Sequence, residues 1–263
     1  MIRQRVISAV VIAVLLVAAV LWLPRWWSAA ALSLVLAAAA WEWSGFVGTG
    51  ALQRAAFMLL TGLACALWWE LSAASEVVLW LALAFWSATL LWVFLWPRMG
   101  RTAVFAAGVL ALSFAWCALV RMRVDWDRGS HAVMYALLIV WLADSGAYFA
   151  GRTWGVRKLA PSVSPRKTWA GLWGGLAACA LLAVAASVVE GLPMLPLLAV
   201  TVAVGAYSVV GDLIESLCKR FAGLKDSGAL IPGHGGVLDR FDSLLAAAPL
   251  LMLGIELFAG GWS

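Results

Sequence analysis

The chain has 263 residues, of which 65% are apolar and 12% charged, and its mean hydropathy is +0.99. A soluble domain is about half apolar and about a quarter charged, so this composition excludes a water-soluble globular domain and makes the bilayer the main solvent. The formal net charge of +5 is small and implies no nucleic-acid partner; its distribution matters more than its size.

About 20 apolar residues are needed to cross about 30 Å of hydrocarbon. Nine runs meet or approach that length: residues 6–23, 26–47, 55–69, 77–96, 103–120, 132–150, 169–189, 193–211 and 244–260. The expected fold class is therefore all-α, a polytopic integral membrane protein of about nine transmembrane helices. The first run follows MIRQR, lacks a clean small-residue cleavage site and continues into Pro24 and Trp26, which reads as an uncleaved span. The third is short, as expected for a tilted or partly re-entrant segment. Many of the 18 tryptophans fall near run ends, where an interfacial aromatic belt places them. Gly171 and Gly175 lie four apart on one helix face and mark close helix packing. The four cysteines form no CxxC pair, so neither a disulfide framework nor a zinc site is indicated. With no internal repeat and no low-complexity linker, residues 1–263 read as a single transmembrane catalytic domain. Its N-terminal helices cover about 1–120, and its catalytic half, about 130–263, holds polar loops 151–168 and 212–243.

Lysines and arginines orient such a chain. With the N-terminus inside, 14 of the 18 fall in inner segments and 4 outside: Arg25, Arg121, Arg123 and Arg128. The expectation is N-in and C-out, with both polar loops in the cytoplasm.

Charge within a span costs several kcal/mol unless it meets protein or water, so intramembrane ionisable residues are candidates for function. Glu42 in AWEW and Glu256 in the last run have ordinary readings as carboxylates near helix ends. In WLADSGAYFAGR, by contrast, Asp144, Tyr148 and Arg152 recur every four residues and share one face. They make a polar stripe from mid-membrane towards the cytoplasmic loop. Ser208, Asp212, Glu215, Ser216 and Lys219 do the same at the end of the eighth run. The segment SLCKRFAGLKDSGALIPGHGGVLDRFDS, residues 216–243, then gathers charge and glycine. Pro232 and its neighbouring glycines rule out a continuous helix, and a loop with Gly235 and Gly236 can bring backbone N–H groups to phosphate oxygens. Asp212, Asp226, Asp239 and Asp242 are hard oxygen ligands suited to Mg²⁺. Lys219, Arg220, Lys225 and Arg240, with Arg166 and Lys167 of SPRKTW, suit phosphate. Carboxylates for metal and cations for anions on one face indicate phosphoryl or nucleotidyl transfer.

The expected assignments follow. Asp212 and Asp239 are the metal ligands and catalytic residues, joined by Lys219, Arg220 and Lys167 on substrate phosphates. Asp144, Arg166, Ser216, Lys225, His234, Gly235, Gly236 and Arg240 contact substrate. Asp226 and Asp242 rank lower as ligands, with loop-ordering salt bridges as their alternative role.

These residues resemble a known family. The pattern S-x-x-K-R-x4-K-D-x-G-x-x-x-P-x-H-G-G-x-x-D-R-x-D, carried by Ser216–Asp242, is similar to the C-terminal signature of bacterial phosphatidate cytidylyltransferases (CDP-diacylglycerol synthases). MIRQRVISA, AWEW, WLADSGAYFAGR and SPRKTWAG extend the resemblance over the whole chain. It implies CTP and phosphatidic acid as substrates, CDP-diacylglycerol and pyrophosphate as products, and Mg²⁺, alone or with a second cation, as cofactor. It also implies a homodimer among membrane lipids, in the bacterial cytoplasmic (inner) membrane, with the active site facing the cytoplasm. One position departs: Ala170 stands where the family usually has glutamate, and Glu42 or Glu215 are the carboxylates that remain to replace it. A CTP-dependent lipid kinase and a transporter are the alternative classes, and the absence of DG-x2-AR disfavours a CDP-alcohol phosphotransferase.

Reporter fusions test the topology. A fusion after residue 168 is expected to report a cytoplasmic location and one at Ser263 an external location; a cytoplasmic C-terminus would mean that a span has been miscounted.

Overall fold

The computed structural model describes residues 2–48, 50–72, 76–95, 98–228, 230 and 235–259, with side chains from Val11 to Phe258. Nine α-helices form among the described residues: α1 (Ile2–Trp22), α2 (Arg25–Val47), α3 (Ala51–Ser72), α4 (Val77–Leu95), α5 (Arg101–Asp125), α6 (Gly129–Trp154), α7 (Trp169–Glu190), α8 (Met194–Phe221) and α9 (Leu238–Gly254). A π-helical turn, Ile255–Ala259, extends α9. Eight of these elements, α2 to α9, are long and apolar enough to cross a membrane, and α1 contributes the shorter apolar stretch Val11–Trp22. The chain is an all-α integral membrane protein.

Four expectations need correction. The third span is a full helix of 22 residues, not a short one. The loop assigned to 212–243 starts later, because α8 runs 28 residues to Phe221 and carries the polar face of Asp212, Glu215, Ser216 and Lys219 as continuous helix. At about 1.5 Å per residue that is some 42 Å, longer than the hydrocarbon, so its charged last turns emerge from the apolar slab. The last span begins earlier than expected, at Leu238, so Asp239 and Asp242 sit on helix. Finally, the loop after α6 contains a small antiparallel hairpin, β1 (Lys158–Ala160) with β2 (Ser164–Thr168), pairing Lys158 with Thr168 and Ala160 with Ser164.

The helix ends follow local chemistry. Pro24 precedes α2 and Pro193 precedes α8, where a missing N–H costs nothing. Gly191 ends α7 with φ +70°, a left-handed conformation natural to glycine. Thr168 caps α7 by accepting a hydrogen bond from the Gly171 amide at 3.1 Å.

Packing between membrane helices depends on close approach, since lipid is as apolar as leucine. Along α6 and α7 the small residues interlock antiparallel. A β-carbon at Gly146 would lie 2.5 Å from the Gly174 carbonyl oxygen, one at Gly175 2.7 Å from that of Ala143, and one at Gly171 3.0 Å from that of Ala147. The GLWGG glycines are thus the packing seam their spacing announced. α8 and α9 also run antiparallel, since Gly211 backs onto Asp242 and Ser243 while Gly254 backs onto Val200. Polar cross-links add to the packing: Tyr135 to Thr201 at 2.6 Å, Ser87 to Tyr207 at 2.8 Å, and Trp43 Nε1 donating to the Val104 carbonyl at 3.0 Å.

The C-terminal ends of α1, α3, α5 and α7 share one end of the bundle. There the four arginines counted as exceptions to the charge rule are engaged in structural contacts. Arg121 meets Asp125 at 2.8 Å and the Trp69 carbonyl, Arg123 donates to Ser28 Oγ at 3.0 Å and to the Leu23 carbonyl at 2.7 Å. Arg128 pairs with Glu190 at 2.9 Å, and Arg25 with Asp127 at 3.6 Å. The opposite end carries the hairpin, the last turns of α8 and the first of α9.

Replacing Gly175 by valine drives a side chain into the α6 backbone, an overpacking that costs about 1–3 kcal/mol. Gly175→Val is expected to lower the thermal midpoint of the detergent-purified protein. Gly62→Val is expected to leave it unchanged, because nothing lies within 4 Å of a β-carbon at Gly62.

Candidate active site

Two cavities open at that opposite end, and Asp144 of α6 lines both. The first, about 370 Å³, lies between α6, α7, α8 and the hairpin; Tyr148, Arg152, Arg166, Lys167 and Asp212 line it. The polar stripe of α6 therefore faces a cavity throughout its length, and Arg152 donates to Tyr148 Oη at 2.8 Å. The second cavity, about 260 Å³, lies between α1, α6 and α9. Ile12, Leu16, Leu137 and Leu244 give it apolar walls, and Asp239, Arg240 and Asp242 give it a polar end.

Between the cavities lies a compact carboxylate group. Oxygens of Asp212, Glu215 and Asp242 lie within 4.8 Å of one another. Helical spacing explains the set: Asp212 and Glu215 are three apart on α8, and Asp242 is brought opposite them where Gly211 lets α9 approach. Lys167 of β2 meets Asp212 Oδ2 at 2.7 Å, and Ser216 donates to Asp212 Oδ1 at 3.1 Å. Lys219 contacts Glu215 on its own helix and Asp239 of α9 at 2.8 Å. Glu215 is fully buried, and its Oε1 has no hydrogen-bond partner among the described residues.

Asp239, expected to share one ion with Asp212, lies beside this group rather than in it. Both oxygens of Asp239 are already engaged: Oδ1 accepts from Lys219 at 2.8 Å and from the Ser227 amide at 3.2 Å, and Oδ2 accepts from the amides of Ser227 and Gly236 at 3.0 and 2.8 Å. Asp239 binds amides of the connector between α8 and α9, and Asp242, ranked lower as a ligand, is the aspartate of α9 that lies in the cluster. The signal for Asp242 was present as Asp239 and Asp242 at i,i+3, mirroring Asp212 and Glu215.

The other expected residues divide. Arg166, Lys167 and Asp144 line the first cavity, and Arg240 the second. Arg220 is exposed and reaches the Leu224 carbonyl at 3.5 Å, at the C-terminal end of α8 rather than in the cluster. Lys225 and Asp226 are exposed on the connector. Gly235 adopts φ +83° beside Asp239, the close return expected of it, and Gly236 donates its amide to that same carboxylate. His234 and Gly233 lie outside the described residues.

Lys219 thus bridges two carboxylates with its side chain 11% exposed. Removing one member of a buried charge network costs about 3–5 kcal/mol. Lys219→Ala is expected to lower the thermal midpoint markedly, whereas Lys167→Ala, at the cavity edge, should lower it far less. Thermal melts of the two purified variants give the comparison, and equal midpoints would remove Lys219 from the network.

Comparison with known proteins fits this geometry. Residues 3–258 match the cytidylyltransferase family. A protein named phosphatidate cytidylyltransferase from Pseudomonas aeruginosa is 37% identical over 272 residues, covering 100% of this chain and 99% of that protein. One so named from Haemophilus influenzae is 37% identical over 279 residues, covering 95% and 96%. A third, from Staphylococcus aureus, reaches 48% identity over about half of each chain. The chain is a member of the cytidylyltransferase family.

Proposed function

We propose that the protein transfers CMP from CTP to phosphatidic acid, forming CDP-diacylglycerol and pyrophosphate, as the relatives' name describes. The observation that carries this reading is the juxtaposition of the carboxylate cluster with a cation-lined cavity on one side and an apolar-walled cavity on the other. A phosphatidate oxygen attacks the α-phosphorus of CTP. The new P–O bond forms as the bond from that phosphorus to the α,β-bridging oxygen breaks, and the electron pair leaves with pyrophosphate. No protein nucleophile is needed. The barrier is repulsion between two anions, so the protein's task is positioning and charge neutralisation.

In this reading Arg152, Arg166 and Lys167 hold the triphosphate in the first cavity. Arg240 holds the phosphatidate headgroup at the polar end of the second, whose apolar walls accept the upper acyl chains. Asp212, Glu215 and Asp242 are the residues that would hold Mg²⁺. They fit it: their hard oxygens are grouped within 4.8 Å, and Glu215 Oε1 is a buried acceptor without a hydrogen-bond partner among the described residues. When bound, Mg²⁺ would offset phosphate charge at the reacting centre. Lys167 and Lys219 hold the carboxylates in place and limit their mutual repulsion. The domain acts as one catalytic unit in the bacterial inner membrane, as a homodimer, with this end in the cytoplasm.

Asp212→Asn and Asp242→Asn are each expected to reduce kcat by about a hundredfold or more, the usual size of a lost electrostatic stabiliser. Asp226→Asn, on the exposed connector, should stay near the parent. The assay is purified protein in detergent with labelled CTP and phosphatidic acid, followed across Mg²⁺ concentrations. Normal turnover in Asp242→Asn would return that residue to a structural role, and release of CDP rather than pyrophosphate would replace the transferase reading with a lipid kinase.

A further inference from the structure

Glu42 belongs to α2, outside the carboxylate cluster, yet it is only 5% exposed. A buried carboxylate is costly unless its acceptors are used. Its Oε2 accepts from Ser227 Oγ at 3.0 Å and from the Leu238 amide at 2.8 Å, partners 185 and 196 residues away. Leu238 is the first residue of α9, where the amide has no intrahelical acceptor and negative charge is favoured. One oxygen therefore clasps both ends of the connector between α8 and α9. The fit is tight, since a β-carbon at Gly228 or Gly236 would collide with this carboxylate. From the clasp the contacts run inward: the Ser227 amide donates to Asp239, Asp239 pairs with Lys219, and Lys219 contacts Glu215 of the cluster. α2 does not need Glu42 for its own seating, because the neighbouring Trp43 already ties it to α5 through the Val104 carbonyl at 3.0 Å.

We infer that Glu42 is a positioning residue. It touches no reacting group; it ties Ser227 to the first turn of α9, so that Asp239 and Lys219 keep the cluster in its reacting arrangement. The kinetic part of this inference rests on the cytidylyl-transfer reading; the conformational part does not.

The test uses the full chain in detergent, with Glu42→Gln, Ser227→Ala and the double variant. Glutamine keeps the shape but weakens the acceptor, so the fold is retained. Hydrogen–deuterium exchange is expected to rise about tenfold or more in residues 225–239, with the protection of α5 and α6 unchanged. In labelled-CTP assays kcat should fall about tenfold while KM for CTP stays within about twofold, and the double variant should be no worse than the more impaired single one. Parental exchange in 225–239 overturns the inference. So does exchange that rises across all helices, or losses that multiply in the double variant. If the parent protein forms no CDP-lipid, the transferase reading fails, and the exchange measurement still decides the role of Glu42.

Discussion

The contact on which the functional end of this molecule depends is the bridge from Lys219 to Glu215 and Asp239. Four carboxylates, Asp212, Glu215, Asp239 and Asp242, come from two helix ends that must approach closely. In a medium of low polarity their repulsion would part those ends. Lys219 crosses between α8 and α9, and Lys167 reaches Asp212 from the hairpin. The cations that make the cluster tolerable are therefore also its tethers, and the helices converge because their charges are shared.

The two ends of the bundle use the same residue types differently. At the end joining α5 to α6, arginines are spent on nearby carboxylates and helix-terminal carbonyls, which closes the surface. At the other end, Arg152, Arg166 and Arg240 face open cavities. A charge-bias argument counts these arginines alike; their partners distinguish a staple from a binding group.

Much of this was legible in order of contact range. The helices and the α6 stripe of Asp144, Tyr148 and Arg152 follow from apolar length and the 3.6-residue period alone. The α6–α7 seam was legible in the Gly171–Gly175 spacing. The hairpin was not, because KLAPSVSPRKT has no alternating pattern over its short strands. Asp242 ranked low for another reason: its place depends on how α9 registers against α8, where Gly211 lets the Asp242–Ser243 backbone approach. Glu42 was visible as a buried charge, but its partners are nearly two hundred residues away and no local pattern names them.

The departure at Ala170 can now be weighed against the two carboxylates that remained to replace a glutamate there. Ala170 lies in the first turn of α7, which carries no acidic residue. A glutamate in that turn would favour the helix N-terminus, and Thr168 meets part of that need by capping the Gly171 amide. Glu42 is turned to the start of α9 instead, its Oε2 accepting from Ser227 and Leu238. Glu215 contacts Lys219 within the cluster, and Lys167 of the hairpin pairs with Asp212. Neither therefore takes over a charge at position 170. The hairpin side of the first cavity presents Arg166 and Lys167, with Asp212 as the carboxylate partner of Lys167, and Ala170 is not among its lining residues.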